Sequence, residues 1–430
     1  MQKSNSVRDF SLGLQHLLAM YAGSVVVPLI IGAALKFNPS QMALLIAADL
    51  LASGVATILQ TLKFKGIGIR LPVVLGSAFP VVSPLIAIGL QYDFQAAIGA
   101  MIVSGLFVFL NAPFFSRLSP LFPPVVIGSV LTIIGTSLAP VALNNIAGGL
   151  GSPGYGLTHN IVLGLLTFVV VVLCNRYLKG FLQAISILIG LIVGTIVAAI
   201  AGYVDFSPVT NAGWFSAVAP LAFGMPKFVL MPIITMCVIA LIVQVESVSV
   251  FMILSEMCGK KATKPALARG FRAEGLAIIF AALFNSFSKT TFNQNVGLIQ
   301  LTKVTRVAVV VYAGIIMIIM SFLPKIAALV LAVPAAVLGG AMLLMFGMVA
   351  MAGVKQIAKA GLEDVNNMII AGSAIVIGIG VSVTPQAFEK LPEWCGVLTG
   401  SGVVVGSLTA IVLNVLFNYA SIRQQEHDIH

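Results

Sequence analysis

The sequence predicts an all-α polytopic membrane protein of 14 transmembrane spans, arranged as two inverted halves of seven. The first observation is composition: 59% of the 430 residues are hydrophobic and 8% are charged, whereas soluble domains carry roughly 25% charged residues. The second is that apolar windows of roughly 20 residues, the length of a spanning helix, recur along nearly the whole chain. The third is that two of these windows are broken, one in each half. One membrane domain and no soluble domain are therefore expected.

The individual spans are separated where proline, glycine and charged residues cluster. The segment Met1 to Asp9 is too short and too polar for a cleavable signal, so we expect the first span to stay in the mature protein. The predicted spans lie near residues 11–35, 40–62, 71–90, 95–115, 122–141, 160–175, 181–201, 228–257, 273–287, 293–303, 307–323, 327–350, 366–384 and 396–418.

The positive-inside rule gives the orientation of these spans. With the N-terminus inside, 18 of the 23 lysines and arginines fall in inner segments and 5 in outer ones. Both termini are therefore predicted to lie on the cytoplasmic side of the cell membrane. The inner set is Lys3, Arg8, Lys63, Lys65, Arg70, Arg117, Arg176, Lys179, Lys260, Lys261, Lys264, Arg269, Arg272, Lys303, Arg306, Lys355, Lys359 and Arg423, and the outer set is Lys36, Lys227, Lys289, Lys325 and Lys390.

Spans 3 and 10 do not fit a regular full-length helix. The first reads "RLPVVLGSAFPVVSPLIAIG" and carries three prolines and Gly76, while the second, "FNQNVGLIQLT", has about ten residues before the next charge. Non-helical backbone at membrane depth is tolerated where it is buried in protein or lines a cavity, and paired broken segments point to a transporter with an inverted repeat. If the fourteen spans form two repeats of seven, span 3 corresponds to span 10 and span 1 to span 8. This correspondence rests on the pattern of broken and polar spans, because the two halves share no residue-level identity.

Ionisable side chains inside spans are few and functional by default. Glu246 lies in "CVIALIVQVESVSVFMIL", where a lone carboxylate needs a partner, a ligand or a proton. Asp49 is interpreted as a structural polar contact between spans. Glu256 is close enough to Lys260 to reach the cytoplasmic interface.

Two other ionisable groups leave alternatives open. His16 is equally a helix–helix hydrogen-bond tie or a proton carrier. Glu274, in "RGFRAEG", either forms an interfacial ion pair with Arg269 or Arg272 or belongs to a coupling network.

Several classes of function lack their signatures. The net charge of +10 is spread singly between apolar spans, which favours lipid contact over nucleic-acid binding. The four cysteines show no metal-ligand spacing, so neither a metal nor a cofactor is expected. No Walker motif, GxSxG elbow or HExxH is present, which leaves ATP-driven transport unsupported and an enzyme improbable.

A longer motif follows the break in span 10. Gln294-Asn295-Val296-Gly297, followed by Thr302-Lys303, resembles the signature of the nucleobase-ascorbate transporter family, also called nucleobase:cation symporter 2. The blocks "QHLLAMYAGSVVVPLIIGAAL", "LPVVLGSAFPVVSPL", "VES" and "RGFRAEG" are similar to the family's blocks and occur in its order across the whole chain. The resemblance is greatest to bacterial xanthine and uric acid permeases.

This resemblance implies an architecture and a mode of transport. It divides the chain into a core domain, residues 1–115 and 226–325, and a gate domain, residues 116–225 and 326–430. It implies a short strand followed by a half-helix in spans 3 and 10, with substrate between them. It further implies a homodimer, in which the core slides against the gate in an elevator-like movement and proton symport drives uptake, with sodium as the less favoured ion.

The resemblance also assigns the substrate site. Glu246 matches the glutamate that accepts hydrogen bonds from the base, and Gln294 matches the side chain that reads the base from the other side. Asn295 matches the supporting asparagine, and Phe79, with the backbone at Ala78, matches the stacking aromatic of span 3.

The remaining assigned residues form a network and complete the motif. His16 and Glu274, together with Ser77 at the break in span 3, are expected to form a polar coupling network. Gly297 is expected to allow close packing at the start of the half-helix, and Thr302 to complete the motif. Val250 replaces an acidic or histidine side chain that several relatives carry one turn after the span 8 glutamate, so a relay through that position is not expected.

The resemblance favours a purine. In the family, glutamine at the first signature position accompanies purine-type members and glutamate accompanies uracil-type members, so xanthine or urate is expected. A uracil-type symporter and an anion transporter of the sulfate-transporter type are the alternatives. An enzyme using His16, Ser77 or Glu246 is the alternative from another class.

Overall fold

The computed structural model describes residues 6–61, 66–118, 122–388 and 401–427. Predictions that involve Lys3, Lys63, Lys65, Lys390 or the first residues of span 14 lie outside the described residues.

The described chain is mostly helical, with two three-residue strands. The strands are β1 (Leu75–Ser77) and β2 (Lys289–Thr291). Short 3-10 helices cover Phe79–Val81 and Pro385–Phe388. The α-helices are α1 (Ser6–Ala34), α2 (Pro39–Thr61), α3 (Val82–Gln91), α4 (Phe94–Leu118), α5 (Pro124–Ser137), α6 (Ala139–Ile146), α7 (Thr158–Tyr177), α8 (Phe181–Ala184), α9 (Ser186–Ile200), α10 (Ser207–Asn211), α11 (Leu230–Met257), α12 (Lys264–Leu283), α13 (Asn293–Thr302), α14 (Val307–Ser321), α15 (Pro324–Leu331), α16 (Ala335–Ala360), α17 (Val365–Val383) and α18 (Gly402–His427).

Many of these helices are long enough to cross a bilayer. Among the described residues, eight helical segments are long and apolar enough to cross a membrane, with α5 and α6 counted as one segment. The pair α14 and α15, bent by 85°, would form a ninth span. Shorter apolar helices cover Phe79–Gln91, Ser186–Ile200 and Gly402–Asn418. The chain is therefore a multi-pass membrane protein, while the number 14 and the inverted repeat stay predictions.

The helices pack into two groups. The first group contains α1–α4 and α11–α15 with both strands, and the second contains α5–α9 and α16–α18. Within the first group the main packing pairs are α4 with α12, α2 with α14 and α1 with α14, and within the second they are α5 with α16 and α17 with α18. The domain boundaries implied by the family resemblance stay a prediction.

Glycine pairs bring the helices of the first group into backbone contact. A Cβ atom at Gly54 of α2 would lie 2.6 Å from the Gly314 carbonyl oxygen of α14, and one at Gly105 of α4 would lie 2.8 Å from the Gly275 carbonyl oxygen of α12. Such small residues drive helix association in membranes, where lipid gives no hydrophobic driving force between helices. In the predicted inverted repeat, span 2 (α2) corresponds to span 9 (α12) and span 4 (α4) to span 11 (α14). The contact between α2 and α14 would then be the counterpart of the contact between α12 and α4.

The breaks in spans 3 and 10 meet at the centre of the first group. β1 and β2 pair antiparallel, with Gly76 opposite Thr290, and each strand leads into a short helical segment. The pairing extends by hydrogen bonds from the Ala78 N–H to the Ser288 carbonyl, 2.9 Å, and from the Phe292 N–H to the Val74 carbonyl, 3.0 Å. The non-helical backbone is thus satisfied inside the protein, as membrane depth requires. The predicted strand and half-helix in both broken spans are confirmed.

A buried ion pair lies behind the two strands. Lys289 Nζ is 2.5 Å from Asp49 Oδ1, and both side chains are 0% exposed. The placement of Lys289 in an outer loop is therefore wrong: the residue is part of β2, and its charge is neutralised by Asp49 of α2. Without Lys289 in the outer set, the predicted excess of lysines and arginines on the inner side becomes larger. Asp49 makes the polar contact between spans that the sequence predicts.

Candidate functional site

A cavity of about 530 Å³ lies between the two helical groups, beside the strand pair. Its first-group wall is formed by α11, β1, β2 and the helical segments that follow the strands. Its second-group wall comes from α5, α7–α9 and α16. The lining residues are Ser77, Phe79, Leu131, Asn175, Gln183, Ala184, Ser186, Ile187, Glu246, Thr290, Thr291, Phe292, Gln294, Gly297, Leu298, Gln300, Leu301, Met345, Met348, Val349 and Ala352.

The three side chains expected to contact a base all line this cavity. Glu246 projects from the middle of α11, Gln294 from the first turn of α13, and Phe79 from the 3-10 turn after β1. The Phe79 ring is held edge-to-face against Phe346 of α16, with centroids 5.7 Å apart and an interplanar angle of 88°. An acceptor carboxylate, a donor–acceptor amide and an aromatic ring therefore surround one space.

The strand pair also directs two helix starts toward the cavity. The helical segment beginning at Phe79 and α13, beginning at Asn293, both start directly beyond the paired strands. Because the first N–H groups of a helix lack intrahelical acceptors and the dipole is positive at that end, such starts favour carbonyl or anionic oxygens. Their position suits a ligand whose edge carries oxygen atoms.

Ser77 and Ala78 follow each other in the chain but have different roles. Ser77 lines the cavity, while its hydroxyl donates to Asp49 Oδ1 and accepts from Lys289 Nζ at 3.0 Å. Ala78 is fully buried, does not line the cavity, and uses its N–H in the bond to Ser288. In this structure the Ala78 N–H is therefore not available to a ligand.

Asn295 lies behind the cavity and ties the half-helix to α1. Its Nδ2 donates to the His16 carbonyl at 2.9 Å and lies 3.0 Å from His16 Nδ1. With the amide donating to both atoms, His16 Nδ1 acts as an acceptor and the ring proton belongs on Nε2. Neither residue lines the cavity. Through these contacts His16 and Asn295 link α1 to α13 in this structure.

Glu274 of α12 lies near Glu246, outside the cavity lining. It is 1% exposed, and neither of its carboxylate oxygens has a hydrogen-bond partner. The Ser247 hydroxyl is 3.4 Å from the Thr290 hydroxyl. Glu274 therefore does not form an ion pair with Arg269 or Arg272, which was one of the two alternatives that the sequence left open. The two glutamates and the hydroxyls around them make a polar cluster that joins α11, α12 and β2.

Val250 lies one turn after Glu246 on α11 and is fully buried among apolar neighbours. No acid approaches Glu246 from that turn of its own helix. The second carboxylate comes instead from α12, as Glu274.

The motif residues Gly297 and Thr302 have different environments. Gly297 lines the cavity, and a Cβ atom built on it would meet no atom within 4 Å. The expectation that Gly297 permits close packing is therefore wrong: its missing side chain widens the cavity. Thr302 Oγ1 donates to the Leu298 carbonyl at 2.9 Å in the last turn of α13, before Lys303 adopts a left-handed conformation with φ of 52°.

The second-group wall contributes polar groups that the sequence did not identify. Asn175 Nδ2 donates to Ser186 Oγ at 2.7 Å, and Gln183 Nε2 donates to the Asn175 carbonyl at 3.0 Å. These residues surround the break between α7 and α9, in "LCNRYLKGFLQAIS". The polar interruption between the predicted spans 160–175 and 181–201 is the signal in the sequence that marks this wall.

Comparisons with known proteins give one consistent result. A family model described as "Permease family" matches residues 8–387. Nucleobase transporter PlUacP of Paenibacillus larvae is 48% identical over 99% of this chain and 98% of its own length. Uric acid permease PucJ of Bacillus subtilis is 47% identical over 97% and 94%, and a xanthine permease of the same organism is 44% identical over 96% and 94%.

Solved structures with a similar fold are more distant in sequence. The transmembrane domain of the cyanobacterial bicarbonate transporter BicA superposes with a TM-score of 0.63 at 15% identity, over 89% of this chain and 97% of that one. Murine SLC26A9, in an inward-facing state, gives 0.62 at 14% identity, over 98% and 69%. At these identities the likeness describes the fold alone.

Proposed function

This chain belongs to the nucleobase-ascorbate transporter family, and from that premise we propose that it takes up a purine nucleobase by secondary active transport. The observation that carries the proposal is the placement of Glu246, Gln294 and Phe79 around one cavity at the strand pair. The relatives named as permeases and transporters agree with a role in transport rather than catalysis.

The chemistry of the cavity suits the edge of a purine dione. Such a base is flat and carries alternating N–H donors and C=O acceptors. Glu246 can accept from N–H groups, while Gln294 donates to a carbonyl and accepts from a second N–H. Phe79 offers a ring for stacking, and its edge-to-face contact with Phe346 holds that ring in place. A base lacking one of these edge groups leaves a buried partner unpaired and should be rejected strongly.

Xanthine and urate are the favoured substrates. Four relatives named for uric acid or xanthine are 39–47% identical to this chain, whereas two relatives named uracil permease are 30% and 31% identical. Gln294 at the first signature position points the same way. A uracil-type specificity is the alternative that competition experiments test.

We assign energy coupling to a proton held by the Glu246–Glu274 cluster. Glu274 is 1% exposed and its carboxylate oxygens have no hydrogen-bond partner, and an acid buried in this way is a position at which a proton can be held. A proton entering this cluster would change the charge of the wall that contacts the base, which links protonation to substrate binding. His16 supports the cluster indirectly, because it fixes α13 through Asn295.

Movement would occur between the two helical groups. We propose that residues 1–115 and 226–325 form a core that slides against a gate of residues 116–225 and 326–430, in a homodimer in the cytoplasmic membrane. The cavity reaches Gln300 and Leu301, which are exposed at the end of α13, close to residues predicted to be cytoplasmic. On this assignment, with both termini inside, the structure represents a state open toward the cytoplasm.

One uptake experiment tests the substrate and the coupling together. Cells expressing the chain take up labelled xanthine or urate in competition with guanine, hypoxanthine, adenine, uracil and sulfate. Xanthine and urate should compete, uptake should collapse with a protonophore, and the recovered substrate should be chemically unchanged. Competition by uracil or sulfate alone would refute the purine assignment, and uptake that requires sodium but ignores the protonophore would refute proton coupling.

A further inference from the structure

Lys289 occupies an unusual place for a lysine. Its side chain is completely buried, in a strand at the centre of a membrane-spanning helical group. Charged groups inside membranes are costly and mark functional positions by default. A positive charge here is tolerated because Asp49 neutralises it and because the surrounding oxygens accept its hydrogen bonds.

Oxygen atoms surround the Lys289 ammonium. Its Nζ lies 2.5 Å from Asp49 Oδ1, 3.0 Å from Ser77 Oγ and 3.4 Å from the Asp49 carbonyl oxygen. An ammonium has three N–H donors, so these three acceptors complete its hydrogen bonding. The same ligands, a carboxylate, a hydroxyl and a carbonyl, are the hard oxygen donors that free metal cations of low polarisability prefer.

The carboxylate at the centre of this cluster is equally well satisfied. Asp49 Oδ1 accepts from the hydroxyls of Ser77 and Ser286, the latter at 3.1 Å, and Oδ2 accepts from Ser24 at 2.8 Å. The Ser77 N–H in turn donates to Ser24 Oγ at 3.3 Å. We name these five residues, Ser24, Asp49, Ser77, Ser286 and Lys289, the ammonium cluster. It joins α1, α2, β1, β2 and the segment before β2.

We propose that the ammonium cluster is a monovalent-cation site in which the Lys289 ammonium takes the place of a free cation. The five residues come from both broken spans and from the helices around them, so a positive charge at this point holds the strand junction together. Because the cation is tethered to the chain, the site is filled in every state of the protein. The wild-type junction therefore needs neither sodium nor potassium from the medium.

Truncating Lys289 should leave a site that a free cation from the medium can occupy. Lys289→Ala removes the ammonium and its stem, leaving an unpaired carboxylate with hydroxyls around a space of side-chain size. Lys289→Met also removes the charge but fills most of that space. Asp49→Asn combined with Lys289→Ala removes both charges and is the control for attraction to the carboxylate.

The test is thermal unfolding of the purified full-length chain in sodium, potassium or choline chloride at equal ionic strength. Lys289→Ala should unfold at a temperature about 2 to 5 °C higher, in a saturable manner, in sodium or potassium than in choline. The wild type, Lys289→Met and the Asp49→Asn/Lys289→Ala double variant should show no difference among the cations. An equal unfolding temperature of Lys289→Ala in all three salts would overturn the proposal.

Recovery of the variant is itself informative. If Lys289→Ala can be purified in sodium or potassium but not in choline, the cation is required for folding and the proposal stands. If it is recovered in none of the salts, Lys289→Ser, which adds an oxygen ligand to the emptied space, is tested in the same way. Absence of any cation-specific recovery or stabilisation in Lys289→Ser then overturns the proposal. This readout is independent of uptake, so it does not depend on the substrate proposed above.

Discussion

Replacing Glu246 by glutamine is the most direct test of the cavity as a base-binding site. The substitution keeps the length and shape of the side chain but removes its charge and turns one acceptor oxygen into a donor. A base that presents an N–H to each oxygen would then meet one matching and one opposing group. The protein itself should tolerate the change, because Glu246 lines the cavity and glutamine has nearly the same size and shape.

The expected loss follows from the single bond that is weakened. A hydrogen bond to a charged group contributes a net ~1.5–3 kcal/mol, and 1.4 kcal/mol is about tenfold in affinity. Binding of xanthine or urate to Glu246→Gln should therefore weaken about 10- to 150-fold. Uptake should fall at least as far, because the proposed proton site is lost with the carboxylate.

The measurements are labelled-base uptake in cells and ligand binding to the purified chain, with the amount of protein in the membrane determined for each variant. Glu256→Gln is the matched control: Glu256 lies on the same helix, is exposed and does not line the cavity. It should leave both quantities unchanged. Glu246→Gln with affinity and uptake within about threefold of the wild type, less than the smallest loss worked out above, would remove Glu246 from the site.

Three further predictions address other parts of the molecule. Gln294→Glu should change the order of competing bases more than it changes the amount of protein in the membrane, and an unaltered competition profile would show that this side chain does not read the base. Gly297→Ala adds a methyl group to the cavity wall where no atom lies within 4 Å, so the unfolding temperature should not fall, while uptake of urate should fall more than uptake of the smaller xanthine; equal effects on both would contradict a cavity role. At the surface, partial burial raises the pKa of Asp93. The hydrogen bonds from Lys227 and from backbone N–H groups lower it by more, so the pKa of Asp93 is lowered on folding. The stabilisation by Asp93 should therefore be present above pH ~4 and disappear as pH falls further, so the unfolding temperatures of wild type and Asp93→Asn should converge in acid, and a gap that persists there would refute the assignment.

The broken spans could be predicted because their signals are local. Three prolines and a glycine in span 3, and a cluster of amides in span 10, are incompatible with regular helices in lipid. The structure places both breaks against each other, and the side chains carried over from the family signature, Glu246 and Gln294, line the same cavity.

What the sequence failed to predict depends on contacts between distant segments. A charge between two apolar stretches ordinarily marks the end of a span, so the sequence predicts Lys289 in an outer segment. Its partner Asp49 is 240 residues away in the chain, and the sequence gives no sign of their contact. Close packing at Gly297 is predicted from its place in the motif, and the sequence does not show what faces this glycine. The wall containing Asn175 and Gln183 was missed for the same reason, since only packing of the two helical groups brings it to the cavity.

The pairing of β1 with β2 has a consequence for how the protein is made. Ser77 and Lys289, which face each other across the strand pair, are separated by 212 residues, so the first broken span leaves the ribosome long before its partner exists. During that interval its strand has no neighbour to accept its backbone hydrogen bonds, and lipid cannot supply one. Until the second half is inserted, the backbone groups of β1 therefore need water or another part of the chain as hydrogen-bond partners. Late insertion of β2 would be the event that completes assembly.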